Sequence, residues 1–328
     1  MNIQERQNQI YKSINSFKKD LYHKSEILPE LLSYQQEVVN FAFGDDFENR
    51  TELRFWDAIN HYKNLNTERN EIANDELQKF IIDCKKATNK IKAEISGNHG
   101  EEIALRSLET LKIKNVISKN IELQNDYLRS EIDAVVFTKK GAFIIEVKNT
   151  KKNIFIDKNG LFFRVTDERQ QFDSNIAEKM QTKEALLRTE LDKLGYSGLQ
   201  IFKIVVFTNT KAEIQNKCKQ LKTCFSSQLA TIIENWDAPV YLRTNDLYTM
   251  SEAINRISSS ATFPMEFDTD AAKKNFALLV AKLELAELPK KQTCISWIKN
   301  LAAIFSTKNH RYATATAAAA VGIITTSI

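Results

Sequence analysis

Four side chains carry the chemistry this sequence offers: Glu101, Asp133, Glu146 and Lys148. Asp133 lies in a strand-like run over 130–138. Glu146 and Lys148 close a second run over 142–148, and Lys139, Lys140 and Gly141 stand between the two. Two such runs joined by so short a link predict a β-hairpin. With Lys139 and Lys140 as its loop, Thr138 faces Gly141, Asp133 faces Glu146 and Glu131 faces Lys148. Because side chains alternate between the two faces of a strand, Asp133, Glu146 and Lys148 share one face. The two carboxylates then stand ~5 Å apart at Cβ, while Ile145 and Val147 point the other way. Facing carboxylates repel unless a proton or a cation lies between them. Lys148 neutralises part of the charge and a divalent cation would neutralise the rest. Mg²⁺ suits such a site, because it takes one or two carboxylates and keeps waters for substrate oxygens. The plainer reading of the same three residues is a salt-bridge cluster at the end of a sheet.

Glu101 follows the punctuation Ser96-Gly97-Asn98-His99-Gly100 and opens a predicted helix over 101–111. With Ala104, Leu105 and Leu108 it follows an i, i+3, i+4, i+7 pattern, so it belongs to the apolar face. Glu102 aligns with Arg106 and Glu109 on the wet side. Taken alone, Glu101 is an acid in a first helical turn, offset by the helix dipole. Its meaning depends on the other three residues.

The elements that must position these groups can be read from periodicity. Residues 1–95 show apolar residues at helical spacing (Ile10, Ile14, Phe17, Leu21; Leu31, Leu32, Val38, Val39, Phe41; Ile72, Leu77, Phe80, Ile81, Ile91, Ile95), which predicts two to four helices with breaks at Pro29 and Gly44. Beyond residue 96 the texture changes. Strands are expected over 116–123, 130–138 and 142–148, and a second hairpin over 153–157 and 161–165 around Lys158-Asn159-Gly160. Next come a helix over 177–194, an apolar strand over 199–208, a helix over 211–221, a short strand over 240–242 and a helix over 245–257. Beyond residue 258 the chain reads as helical again, over 271–287 and 294–305. The expected organisation is a helical region 1–95, an α/β domain 96–257 with a mixed sheet flanked by helices, and a helical region 258–328.

Composition narrows the classes. The 328 residues carry a formal net charge of +4, short of the strongly basic balance (pI above ~9) of dedicated nucleic-acid binders. Any phosphate-binding surface must therefore be local. The four cysteines, Cys84, Cys218, Cys224 and Cys294, form no CxxC pair and no zinc spacing with histidine, and read as reduced thiols of a cytoplasmic protein. The start lacks the apolar core of a signal peptide. The segment 313–328, uncharged and rich in Ala and Thr, is shorter than the ~20 residues that span a bilayer, so stable membrane insertion is not expected.

Gly97-x-x-Gly100-Glu101, Glu131-Ile132-Asp133 and Gly141-Ala142-Phe143-Ile144-Ile145-Glu146-Val147-Lys148-Asn149, in that order and spacing, resemble the nuclease-related domain (NERD) family of the PD-(D/E)XK, restriction-endonuclease-like superfamily. The hairpin 154–164 and the strand Ile204-Val205-Val206-Phe207-Thr208-Asn209 resemble later pieces of that family. So do Asn175 and Gln181, although the Pro that follows the Asn in the family pattern is missing and the spacing is longer. The resemblance covers about half the chain. It implies a restriction-endonuclease-like fold and a Mg²⁺-dependent endonuclease acting on DNA, with Mn²⁺ as a substitute. Under it Asp133 and Glu146 are metal ligands, Glu101 completes the metal site, Lys148 positions or activates the attacking water, and Gln181 is a supporting polar residue. No Ser, Cys or His nucleophile is required. A role in defence against foreign DNA or in DNA processing follows as a hypothesis.

Around the site in sequence, Lys139, Lys140, Lys151, Lys152, Lys158 and Arg164 are basic. Lys151, Lys152 and Arg164 are candidates for contacts with a nucleic-acid backbone, but one by one such residues read as solvated hairpin tips. His99 reads as a loop residue, and Trp56, Trp236 and Trp297 as core anchors. The N-terminal helices serve either as an arm for a partner protein or a second copy, or as a wrap around the domain. Two further functional readings stay open: a catalytically silent module that binds nucleic acid or a partner, and a nuclease subunit active only with a partner protein.

Overall fold

The computed structural model describes residues 27–44, 52–166, 169–258 and 267–286. The expected helices around Ile10–Leu21 and over 294–305, the tail 313–328, Trp297 and Cys294 lie outside the described residues. The described residues divide into two compact units, one containing 92–258, the other joining 27–91 to 267–286.

In the second unit lie α1 (Ile27–Phe43), α2 (Glu52–Glu68), the part of α3 (Asn74–Leu108) up to Ile91, and α7 (Thr269–Leu285). Pro29 does not break a helix. It sits in the first turn of α1, where a missing N–H costs nothing. Gly44 does end α1, at φ +82, and its N–H returns to the carbonyl of Asn40 at 2.7 Å. Tyr62, Phe80 and Phe276 pack ring against ring, with centroids 5.2 to 5.7 Å apart. Segments from both sides of the α/β region thus share one aromatic core.

The other unit is built on two sheets. The first has five strands in the order β1 (Asn115–Gln124), β2 (Arg129–Thr138), β3 (Gly141–Lys148), β7 (Ile201–Phe207), β9 (Lys222–Phe225). Its β1, β2 and β3 pair antiparallel, whereas β3, β7 and β9 run parallel. The second sheet has the order β6 (Gln170–Asn175), β5 (Leu161–Val165), β4 (Asn153–Ile156), β8 (Ile214–Asn216). Gly160, at φ +84 in the β4–β5 turn, leaves no room for a side chain against Ala177, so the hairpin lies directly on the next helix.

Helices cover both faces of the five-stranded sheet. On one, Val135, Phe137, Ala142, Ile144, Val205 and Phe207 pack with residues of α4 (Ile176–Lys193) and α6 (Thr244–Ser258). On the other, Ala134, Val136, Phe143, Ile145, Ile204 and Val206 meet Ala104 and Leu108 of α3 and Leu229 and Ile233 of α5 (Ser226–Glu234). Trp236 anchors this second layer, with its ring centroid 5.5 Å from Phe143 and 5.1 Å from Phe202.

Three expectations fail for tertiary reasons. The glycine-rich segment 96–100 is not a break: α3 runs through it. Residues 211–221 are not a helix, because Ile214 to Asn216 add a parallel strand to β4 and Asn216 then turns the chain, its amide on the Leu221 carbonyl at 2.9 Å. Residues 240–242 form no ladder, since the N–H groups of Tyr241 and Leu242 both go to the Lys139 carbonyl, at 3.0 and 3.2 Å. The strands β6 and β9 and the helix α5 are additional to the sequence reading.

Candidate active site

The register of the β2–β3 hairpin is the one its loop dictates, with Thr138 opposite Gly141 and Ala134 opposite Ile145. The ladder stops there. One residue further, the Asp133 side chain replaces the missing backbone bond: its Oδ2 accepts from the Val147 N–H at 2.6 Å. Here β3 leaves β2 while staying paired with β7 through Lys148. The strand alternation also slips at this point. Ile132 and Val135 enter the same core layer, and on the neighbouring strand Asn120 adopts φ +52. The strands part at the residue that carries the carboxylate, so polar side chains gather at the sheet end.

Four charged groups meet there: Asp133, Glu146, Lys148 and Lys183. Glu146 is buried, at 5% exposure. Its Oε1 accepts from the Lys148 ammonium at 2.5 Å, and its Oε2 is ion-paired with the ammonium of Lys183. Lys183 also stands 3.9 Å from Asp133 Oδ1. Burial works against the charge on Glu146, but Lys148 and Lys183 outweigh it and hold its carboxyl well below the ordinary range. Asp133 moves the opposite way: burial and the nearby Glu146 charge push it up, against the pull of Lys183 and Lys148. Both lysines are held above their usual range, since the carboxylates more than offset desolvation.

Glu101 comes from the opposite helical layer. Asn149, just after Lys148, ties α3 to the end of β3 through its amide on the Ser96 carbonyl, at 2.9 Å. Gly100 permits that approach: a Cβ there would lie 2.8 Å from Asn149 Cβ and 3.3 Å from Thr208 Oγ1. This is why the helix tolerates glycine where alanine would add ~1 kcal/mol of helix stability. Burial first, then Asp133, Glu131, Glu94 and Glu146, push the Glu101 carboxyl up to about 8. The site therefore gathers three carboxyl groups against two ammonium groups, and Glu101 is the carboxyl pushed toward its neutral form.

Hard oxygen donors of this kind fit a divalent cation held by one or two carboxylates. Asp133 and Glu146 are the pair that could hold it. A ready three-donor cage is another matter: among the described residues no group of three or more His, Cys, Asp or Glu is gathered to hold a metal ion. Asp133 and Glu146 act on Glu101 electrostatically, and Lys183 occupies Glu146.

The remaining candidates lie elsewhere. Gln181 is exposed on α4 and donates to Gln220 at 3.0 Å, outside the carboxylate cluster. The buried stripe of α4 runs through Ile176, Met180, Lys183, Leu187 and Leu191, so Lys183, two residues on, is the member of this helix that enters the site. The sequence signal was a lysine at an apolar position. Asn175 is the N-cap of α4, accepting from the Glu178 N–H at 3.1 Å. Lys151 and Lys152 stand exposed on the loop after Lys148. Arg164, in the second sheet, pairs with Asp173 at 3.3 Å. Lys140 is used structurally, donating to the carbonyls of Glu234 and Trp236 at 2.7 and 2.8 Å.

Residues 96–208 match the family described as nuclease-related domain, NERD. The match runs from Ser96 in α3 to Thr208 at the end of β7 and spans all four catalytic candidates. NERD belongs to the restriction-endonuclease-like superfamily, and the match points to a nuclease-related function. Comparison with curated proteins and with solved structures finds no match. No described helix is long and apolar enough to cross a membrane.

Proposed function

We propose that the NERD domain is a Mg²⁺-dependent endonuclease that hydrolyses DNA phosphodiester bonds, with Mn²⁺ as a working substitute. One observation carries the reading: Asp133, Glu146 and Lys148 meet at the point where β2 and β3 part, with Glu101 within electrostatic reach. Asp133 and Glu146 would hold the cation. When bound, it supplies phosphate charge screening and a lower pKa for water. Lys148 differs from Lys183 in access, with 28% of its side chain exposed against 8%. Only Lys148 can present ammonium protons to a phosphate oxygen or an attacking water while remaining bonded to Glu146. Lys151 and Lys152, on the following loop, supply positive charge for the strand backbone. DNA as substrate, and a part in defence against foreign DNA or in DNA processing, rest on the family resemblance.

Nicking of supercoiled plasmid in Mg²⁺ or Mn²⁺ tests this. Asp133→Asn and Lys148→Met are expected to lower the rate about 10²-fold or more, the scale of losing a positioned group in proton transfer. Undiminished nicking by either variant refutes the assignment. A second reading, a silent nucleic-acid-binding module, draws on the two ammonium groups seated on Glu146. Binding without metal-dependent cleavage by the wild type would favour it.

A further inference from the structure

Lys183 has a position that the reaction itself does not require. It lies on the apolar stripe of α4, between Met180 and Leu187, where a methionine would pack without leaving water. Burying an ammonium there is costly unless it is paired and well bonded. Its partners are Oε2 of Glu146 and, at 3.9 Å, Oδ1 of Asp133, the two carboxylates best placed to hold a cation. Lys148 takes the other oxygen of Glu146, so each oxygen of that carboxylate carries an ammonium. With so little of its side chain exposed, Lys183 cannot swing into solvent as Lys148 can.

We propose that Lys183 is a built-in counter-ion that occupies the Asp133–Glu146 pair in the metal-free protein and competes with the divalent cation for the same oxygens. This rests on the reading of that pair as the metal site. The physical argument is twofold. Two buried carboxylates side by side need positive charge in order to fold, and a lysine on the packed helix supplies it before any metal arrives. The same fixed charge then repels an incoming dication, so the free cation concentration needed to load the site rises.

The test is Mn²⁺ binding by the full chain after EDTA treatment, followed by electron paramagnetic resonance, together with thermal midpoints in EDTA and in Mn²⁺. Lys183→Gln is expected to bind Mn²⁺ at least about tenfold more tightly than the wild type, a change equal to ~1.4 kcal/mol. It is also expected to melt lower in EDTA and to regain more from Mn²⁺. Lys183→Arg, which keeps the charge, should bind like the wild type. Equal or weaker Mn²⁺ binding by folded Lys183→Gln overturns the proposal. If the wild type still binds Mn²⁺ and Asp133→Asn does not, the metal-site reading survives that result. No Mn²⁺ binding by either the wild type or Lys183→Gln sinks both. Should Lys183→Gln fold only when Mn²⁺ is present, the counter-ion role is supported; failure to fold even with Mn²⁺ overturns it.

Discussion

Asp133 has two separable jobs, and two substitutions can tell them apart. Its Oδ2 holds the Val147 N–H at 2.6 Å where the β2–β3 ladder ends, and its charge lies between Glu146 and Lys183. Asn keeps an acceptor for Val147 and removes the charge; Ala removes both. A hydrogen bond to a charged acceptor contributes about 1.5–3 kcal/mol, and an orphaned buried N–H costs about 1–3 kcal/mol. Loss of the Lys183 attraction, about 4 kcal/mol for a pair at ~4 Å and an effective dielectric of ~20, is opposed by relief of the burial cost and of the Glu146 repulsion that push Asp133 up. Asp133→Asn should therefore lie within about 1 kcal/mol of the wild type, with Asp133→Ala about 2 kcal/mol below it. For a unit of this size that gap is ~4–8 °C in thermal midpoint, readable by circular dichroism or urea titration. Both variants should lose plasmid nicking. Superimposable unfolding curves for the Asn and Ala variants would refute the structural job of Oδ2. It follows that Asp133→Asn, not Asp133→Ala, is the clean probe of chemistry.

Three other outcomes are expected. Lys140→Met removes the ammonium bonded to the Glu234 and Trp236 carbonyls and should cost about 1–2 kcal/mol in urea unfolding; unchanged stability with weakened DNA binding would return Lys140 to a phosphate-contact role. Gly160→Ala, at φ +84 and against Ala177, should destabilise by about 2–4 kcal/mol through strain and overpacking, and a variant as stable as the wild type would show that the hairpin can lift off α4. Glu184 donates nothing to the site but accepts from Lys203 at 2.6 Å and Arg188 at 3.1 Å; burial opposes its charge, yet these bonds hold its carboxyl below the ordinary 4.5. Its folded value being depressed, the stability it contributes is present above pH 4.5 and fades as the pH falls further, through the folded value. The stability gap between wild type and Glu184→Gln, measured by urea titration, should shrink over that acidic range; a gap that stays constant below pH 4.5 counts against the ion pair.

Asp133 and Glu146 illustrate what local pattern can carry. A two-residue link was enough to bring Asp133, Glu146 and Lys148 to one strand end, because register in a tight hairpin follows from the loop, although the alternation slips beside Asp133. Helical periodicity likewise turned Glu101 inward. The same reasoning failed at Lys139-Lys140 taken as a simple tip: Lys140 caps α5, a helix the pattern had not announced. Residues 211–221 misled because Ile214, Cys218 and Leu221 have helical spacing, while the strand they form draws its hydrogen bonds from β4, some sixty residues earlier.

What neighbouring residues impose on one another was legible from the chain alone: hairpin register, the helices α4 and α6, the inward turn of Glu101 and the resemblance of the segment 96–208 to the nuclease-related domain. Groups that converge from distant segments were not. Lys183 reaches Glu146 from 37 positions away, and a lysine on an apolar stripe states no partner until the sheet and helix are packed. Gln181 looked better by resemblance but faces water, since two residues along a helix is a turn of about 200°. Charge balance is a property of the assembled pocket. Desolvation and Coulomb forces act through space, so which carboxylate is pushed up and which is held down emerges only once the strands have parted and the helices have closed around them.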